Sequence, residues 1–511
     1  MFNYIKSVLF RENSIRGASW ILVVTLAFSN ILGVIRDHFL AQKIPTDQLD
    51  IYYAAFRLPD FLLNVLILGA IAAAVIPVLG RTLRLGDKEA WRLVNNLLSL
   101  GVSAMLVAIA VLYFLFPKLL PFIVPDFPLQ KLHKTITLAR LMLLSPLFFS
   151  ISYIVGSVLN VKKRFFMYSL APIMYNLAII SATVIGAHSY GVLAPVVGVV
   201  VGAFLHMAIQ LPVLFRLGFR PQFIFSLKSK EVRRIFKLML PRAIALGAGQ
   251  IQLVAFTAFA SSIAGAIAIF SLTDNIQTVP TVILGVSFAT ATFPSLAQIG
   301  NDNPEEFRRL LIKASRVILF LVIPSAVALF VLRAQIVRLI LGYGYFGWSD
   351  TRQAVDTLAF FTVGIVAQSL IPLFARAFYS LENTRFPMMA AIVAVVIGIT
   401  GGYFGAEKLG VAGLALAFTV AGWAQLFILL IGLEKRIRFR LTKEFWFFVL
   451  RVLCLAVVSA LVMQAVKVTY DAFFDIDKVY NLLLQTLLAV LVGGATYIGG
   501  AWQWRIPEIR K

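Results

Sequence analysis

Apolar runs long enough to matter as single units recur along the whole chain, separated by short polar or charged breaks. A helix that crosses hydrocarbon needs roughly 20 mostly apolar residues, each rising about 1.5 Å. On that measure the pattern predicts spans near 17–40, 51–80, 93–116, 135–161, 165–187, 190–215 and 236–260. It predicts seven more near 264–299, 310–332, 353–381, 386–406, 409–433, 446–466 and 480–503. Several exceed the minimum, which implies tilt, kinks or ends that protrude past the hydrocarbon. The run at 17–40 is too long for a signal-peptide core and lacks a small-residue cleavage site, so it reads as an uncleaved first helix.

The polar breaks carry their own pattern. Lys and Arg alternate between rich loops and poor ones, the rich set including Arg81/Arg84/Lys88/Arg92, Lys162/Lys163/Arg164, Arg216 to Lys237, Arg308/Arg309/Lys313/Arg316 and Lys435 to Lys443. The alternation never inverts, and the positive-inside rule then places both termini in the cytoplasm. A weak internal repeat runs alongside it. Ile67-Leu68-Gly69 with Pro77 returns as Ile283-Leu284-Gly285 with Pro294, Ala171-Pro172 returns as Phe386-Pro387, and Gly191-Val192 as Gly410-Val411. An offset that spans six helices leaves both halves in the same orientation, a parallel repeat of the kind found in transporters with a site between lobes. The expected fold is therefore an all-α polytopic membrane protein of about fourteen helices. Its lobes would be residues 1–218 and 219–440, with two further helices in 441–511.

Composition narrows the class further. Hydrophobic residues make up 60% of the 511 and charged ones 14%, where soluble proteins have roughly 25% charged. The net charge of +23 invites a nucleic-acid reading, but no soluble domain exists to carry a basic face, so topogenic loop charge accounts for it. The one cysteine, Cys454, and four scattered histidines show no ligand spacing, and no metal or cofactor is expected.

Ionisable residues inside a span cost about 2.5–3.5 kcal/mol each and are functional candidates by default. The first helix carries Asn30 and Arg36-Asp37, and the second Asp50, Arg57, Asp60 and Asn64. Further along stand Arg140, Arg242, Asp274-Asn275 and Arg451. At 1.5 Å per residue Arg36 lies about 28 Å along its helix and Arg57 about 9 Å in from the other side, so both can snorkel. Asp274 is too short to do so and should face a partner or a wet cavity. An outer ion-pair network of Arg36, Asp37, Asp50 and Arg57 would serve either as a gate or as a static latch.

Specific strings add a resemblance. Gly156-Ser157-Val158-Leu159-Asn160, Arg164-Phe165, Ala171-Pro172 and Asn176 resemble a stretch of the MurJ/MviN lipid II flippases, within the MOP flippase and exporter superfamily. Arg376-Ala377-Phe378-Tyr379 through Thr384-Arg385 is similar to the family's RAFYAxxDTRTP segment, and Gly342 to Phe346 to its GxGxF-like loop. Gly410 to Leu416 is similar to its GLAGLALA helix. The resemblance runs along essentially the whole chain. It departs at Asn30, near Asn64 and at Asn275, where the family carries Arg.

The resemblance implies two six-helix lobes around a cationic cavity, and a groove built with the last two helices for a polyprenyl tail. Arg36, Arg57, Asn30, Asn64, Arg242 and Asn275 would then contact the diphosphate-sugar headgroup, while Asp37, Asp50 and Asp274 tune gating. It implies a transporter of the bacterial inner membrane, not an enzyme, that flips lipid II, with cell-wall synthesis proteins as candidate partners. Three alternatives stand beside it: an exporter of another polyprenyl-linked oligosaccharide, an exporter of a small cation, and a non-transporting scaffold derived from a flippase.

Overall fold

The computed structural model describes residues 15–68, 75–300 and 302–509. It is helical throughout, and the chain divides into two compact units after Ala268.

In the first unit, α1 (Ile15–Lys43) is followed by α2 (Thr46–Leu62), which passes into a π-helical turn, Leu63–Leu68. After α3 (Ile76–Leu83) comes α4 (Asp87–Ile123), then the pair α5 (Leu129–Met142) and α6 (Leu144–Val161). Next are α7 (Phe165–Tyr190), α8 (Leu193–Ala208) with the short α9 (Leu211–Arg216), and α10 (Lys230–Ala260). Helix α7 packs along both α8 and α1.

The second unit follows a similar plan. Helix α11 (Ala266–Pro280) runs into a π-helical turn, Thr281–Val286, and then α12 (Ser287–Ile299). Then come α13 (Pro304–Val331), α14 (Arg333–Ile340), α15 (Trp348–Ser380), α16 (Arg385–Leu409) and α17 (Val411–Ile437). Helices α18 (Lys443–Phe473) and α19 (Val479–Gln503) form a final hairpin, with α18 packed on α13.

Twelve helices among the described residues are long and apolar enough to cross a membrane. The other two expected spans, 17–40 and 51–80, fall on α1, several of whose side chains lie outside the described set, and on the α2–α3 stretch, where residues 69–74 do. Three expected spans are broken rather than continuous. Both 51–80 and 264–299 contain a π turn, and 135–161 breaks between Met142 and Leu144. Faces of α4 and α19 expose Val107, Phe114, Leu487 and Leu491, as lipid-facing helices do.

The repeated strings have structural meaning. Ile67-Leu68 and Ile283-Leu284-Gly285 lie in the two π turns. Gly191 and Gly410 sit at equivalent hairpin corners with φ of +54° and +59°, where a side chain would be strained. The hairpins they close are packed through small residues. A Cβ on Gly413 would lie 2.0 Å from the Gly405 carbonyl oxygen, and one on Gly198 2.9 Å from the Ile179 Cα. Small residues that let backbones approach are how helices associate in lipid.

Three helices begin alike. Ser229, Asn303 and Thr442 accept from the backbone N–H three residues on, with Glu231, Glu305 and Glu444 in the first turn. This is the cap-plus-acid start that satisfies the unpaired N–H groups and the positive helix end. The Ser229 hydroxyl also donates to Glu231 at 2.6 Å, which holds that carboxyl below its ordinary range.

Candidate functional site

The ionisable residues of the first two helices reach several other elements. Arg36 donates from Nε and Nη2 to Asp37 Oδ1 at 2.9 and 2.8 Å, and from Nη1 to Asn176 Oδ1 at 3.2 Å. Asn176, on α7, in turn donates to the Ser29 carbonyl at 3.3 Å. The Arg36-Asp37 pair therefore ties α1 to α7, with Asp37 buried and Arg36 one fifth exposed.

Asp50 makes a different attachment. Its carboxylate accepts from the backbone N–H groups of Gly265 and Ala268 at 2.7 and 3.0 Å, and from Lys131 at 3.1 Å. Lys131 also pairs with Asp47 and lies over the Phe127 ring. Asp50 is fully buried, and it caps the start of α11, whose first N–H groups have no intrahelical partner. Of the network expected from sequence among Arg36, Asp37, Asp50 and Arg57, Asp50 is therefore not a part. Asp50 faces a lysine and a helix end contributed by residues 131 and 265–268, remote in sequence from α1.

Arg57 donates from Nε to the Thr257 hydroxyl at 2.7 Å, and Thr257 passes its own proton to the Leu253 carbonyl at 2.8 Å. Arg57 and Asp60 are half-buried on α2. Asn64 uses its amide on the Asp60 carbonyl at 2.9 Å, a bond to its own helix where the π turn begins. Asn30 is half-buried on α1 and has a polar partner. The side chain of Arg242 lies outside the described residues. Arg140 is not at a site with these groups. It donates to the Tyr113 carbonyl at 3.0 Å and stacks on that ring, joining α5 to α4.

In the second unit Asp274 and Asn275 are half-buried. Gln277 donates to Asp274 at 2.8 Å, so the short acid does have the polar neighbour that its depth demands.

Two features went unread in the sequence. Ser152, His206 and Gln210 form a buried polar cluster, with the Ser152 hydroxyl 2.7 Å from His206 Nδ1 and Gln210 donating to Ser152 at 2.6 Å. The signal was there as two polar residues four apart on an apolar helix, which share a face. The second is an apolar groove of about 500 Å³, open along one side, between α13, α15, α17 and α18. Leu319, Ile323, Leu370, Phe427, Phe445 and Val449 contribute to its wall. Its two hydroxyls are already occupied, Ser315 donating to the Leu311 carbonyl and Thr362 to the Ala359 carbonyl. The Trp423 indole donates to the Val363 carbonyl. A wall whose polar atoms are spent on its own backbone accepts hydrocarbon and nothing polar.

Among the described residues no cluster of His, Cys, Asp and Glu suited to a metal ion is found.

Comparison with known proteins adds to this geometry. A family model described as lipid II flippase MurJ matches residues 46–484. The lipid II flippase MurJ of Burkholderia cenocepacia is 27% identical over 491 residues, covering 93% of this chain and 94% of that protein. The probable lipid II flippase MurJ of Rickettsia prowazekii is 23% identical over 96% of this chain and 97% of its own. Among solved structures, lipid II flippase MurJ in an inward closed conformation superposes with a TM-score of 0.79 at 23% identity, covering 95% of this chain and 98% of that one. An inward-facing MATE multidrug resistance transporter of the MOP superfamily superposes with a TM-score of 0.67 at 13% identity, over 82% of this chain and 98% of that one. At these identities the structural likeness speaks for the fold.

Proposed function

This chain belongs to the lipid II flippase MurJ family, and from that premise we propose that it carries lipid II from the cytoplasmic to the outer leaflet of the inner membrane by alternating access. It is then a transporter in peptidoglycan synthesis rather than an enzyme. The physical problem it solves is the cost of drawing an anionic diphosphate-sugar through hydrocarbon, where an unpaired charge is very expensive.

The observation that carries the reading, beside family membership, is the apolar groove of the second unit, whose lining suits a stretch of hydrocarbon chain. The thirteenth span, α18, supplies Phe445 and Val449 to it, in keeping with a tail groove that involves the C-terminal helices. In this reading Arg36 and Arg57 meet the diphosphate, because a guanidinium presents five donors in a planar fork that matches phosphate oxygens. Arg242, Asn30, Asn64 and Asn275 complete the headgroup contacts. Asp37 and Asp274 tune gating by competing with substrate for cations and amides.

Orientation belongs to the same proposal. The basic loops lie in the cytoplasm, and so do both termini.

A second reading keeps the architecture and changes the cargo to another polyprenyl-diphosphate oligosaccharide. It is favoured by Asn30 and Asn275, which offer neutral donors where charge would hold a phosphate more strongly. One experiment separates the two. The chain is expressed in cells whose own lipid II flippase is switched off, and growth and lipid II export are followed. Rescue is expected, and Arg57→Ala is expected to abolish it. A membrane-inserted chain that fails to rescue would move the assignment to the second reading.

A further inference from the structure

Residues 219–227 follow the end of the span Leu193–Arg216 and precede the span Ala243–Ala260, which puts them at the level of the lipid headgroups. They run extended along α4, and side chains of α4 take the place that a neighbouring strand would fill. Asn95 donates to the Arg220 carbonyl at 3.0 Å and accepts from the Gln222 N–H at 2.9 Å. Ser99 accepts from the Ile224 N–H at 3.2 Å. Asn96 accepts from the Ser226 N–H and donates to the Ser226 carbonyl, both at 2.8 Å. Phe219, buried against Trp91, plugs the start of the segment.

Binding every second N–H to one helix fixes which side chains point outward, because an extended chain alternates its faces. Ile224 and Ser226 are half-buried. Phe223, Phe225 and Leu227 are 81%, 56% and 54% exposed, and the two phenyl rings stack with centroids 6.4 Å apart. An aromatic pair held out in this way marks an interaction surface. Its surroundings are basic: Arg220, Lys228, Lys230, Arg233 and Arg234 lie in or beside the segment and Arg92 of α4 lies near it, against two acids, Glu231, which is engaged by Ser229, and Glu89 of α4.

We propose that residues 219–230 are an interfacial anchor: Phe223, Phe225 and Leu227 enter the bilayer surface, and Arg220, Lys228 and Lys230 bind anionic phospholipid headgroups. Aromatic side chains are favoured at that depth, and basic residues beside it are drawn to an anionic surface. The strap of Asn95, Asn96 and Ser99 holds the segment in the register that aims the rings at lipid. The proposal concerns lipid contact alone and stands whether or not the cargo is lipid II.

The test uses the full chain with Cys454→Ser, which removes its one cysteine, and a bimane label on Phe225→Cys or Gln222→Cys. The labelled protein is placed in phosphatidylcholine vesicles with or without phosphatidylglycerol. Quenching by a nitroxide on the lipid acyl chain is compared with quenching by aqueous iodide. The lipid quencher is expected to act severalfold more strongly at 225 than at 222. Phosphatidylglycerol should strengthen it, and a triple Arg220→Gln, Lys228→Gln, Lys230→Gln variant should lose that gain. Ser99→Ala, which removes one strap bond, is expected to weaken lipid quenching at 225, and Asn96→Leu to weaken it further. Equal iodide quenching at both positions would place the rings in water and overturn the proposal. Shielding of position 225 from both quenchers would mean that protein covers this face, and would overturn it too. Indifference to phosphatidylglycerol would refute the headgroup contacts.

Discussion

Six residues ahead of its π-helical turn, the first half of the chain carries Arg57; six ahead of its own, the second half carries Asn275. Three residues ahead the pair is Asp60 and Thr278, and at the second residue of the turn it is Asn64 and Val282. The two halves bend at matching places and differ in what the bend displays. Around its turn the first half has Arg57 on Thr257 and Asn64 on its own backbone. The second keeps one carboxylate, Asp274, beside Gln277. The two halves share a bend in the backbone and differ in the side chains set around it: an arginine beside the first turn, a lone carboxylate before the second.

That contrast can be broken from either side. The largest effect is expected from Arg57→Ala, which should abolish rescue in flippase-depleted cells, whereas Asn275→Ala should leave rescue largely intact; equal losses would remove the asymmetry. Asp50→Ala is next. It strands two buried backbone N–H groups and leaves Lys131 with Asp47 alone, and the loss of the buried half of that pairing costs about 3 kcal/mol, read as a fall in thermal stability in detergent. Gly413→Val forces a side chain into the Gly405 backbone, and overpacking of that kind costs about 1–3 kcal/mol. Leu370→Trp is expected to change stability less but to lower rescue by filling the apolar groove. Preserved rescue would detach that groove from transport. The smallest effect should come from Arg316→Ala. It loses a 2.7 Å pair with Glu508 whose side chains are 25% and 10% exposed, and partial solvent screening limits this to about 1 kcal/mol.

The spans were legible because hydrocarbon imposes a local rule. Each must be apolar over its own length and satisfy its own backbone bonds, whatever it packs against. The π turns were legible only as repeated strings, since the geometry that distinguishes them from an ordinary kink leaves no mark in residue type. Arg36, Asp37, Asp50, Arg57 and Asp274 stood out because charge in an apolar run is conspicuous. Their partners did not. Asn176 looked like one more residue of a family motif, and nothing near Asp50 in the chain points to Gly265 and Ala268. Nothing in the sequence singles out Asn95 and Asn96, because their use as a surrogate strand edge depends on where residues 220–226 return.

By itself, then, the sequence determined a bundle of membrane-crossing helices and picked out the charged residues that interrupt its apolar runs. Those properties follow from residue-by-residue transfer energies, which sum along a segment without reference to the rest of the chain. Only the tertiary structure decided that Arg36 leans on α7, that Asp50 caps α11, and that four helices of the second unit frame an apolar groove. Each of these depends on which helix faces meet. That choice is made by many weak contacts acting together, none of which is written at any single position.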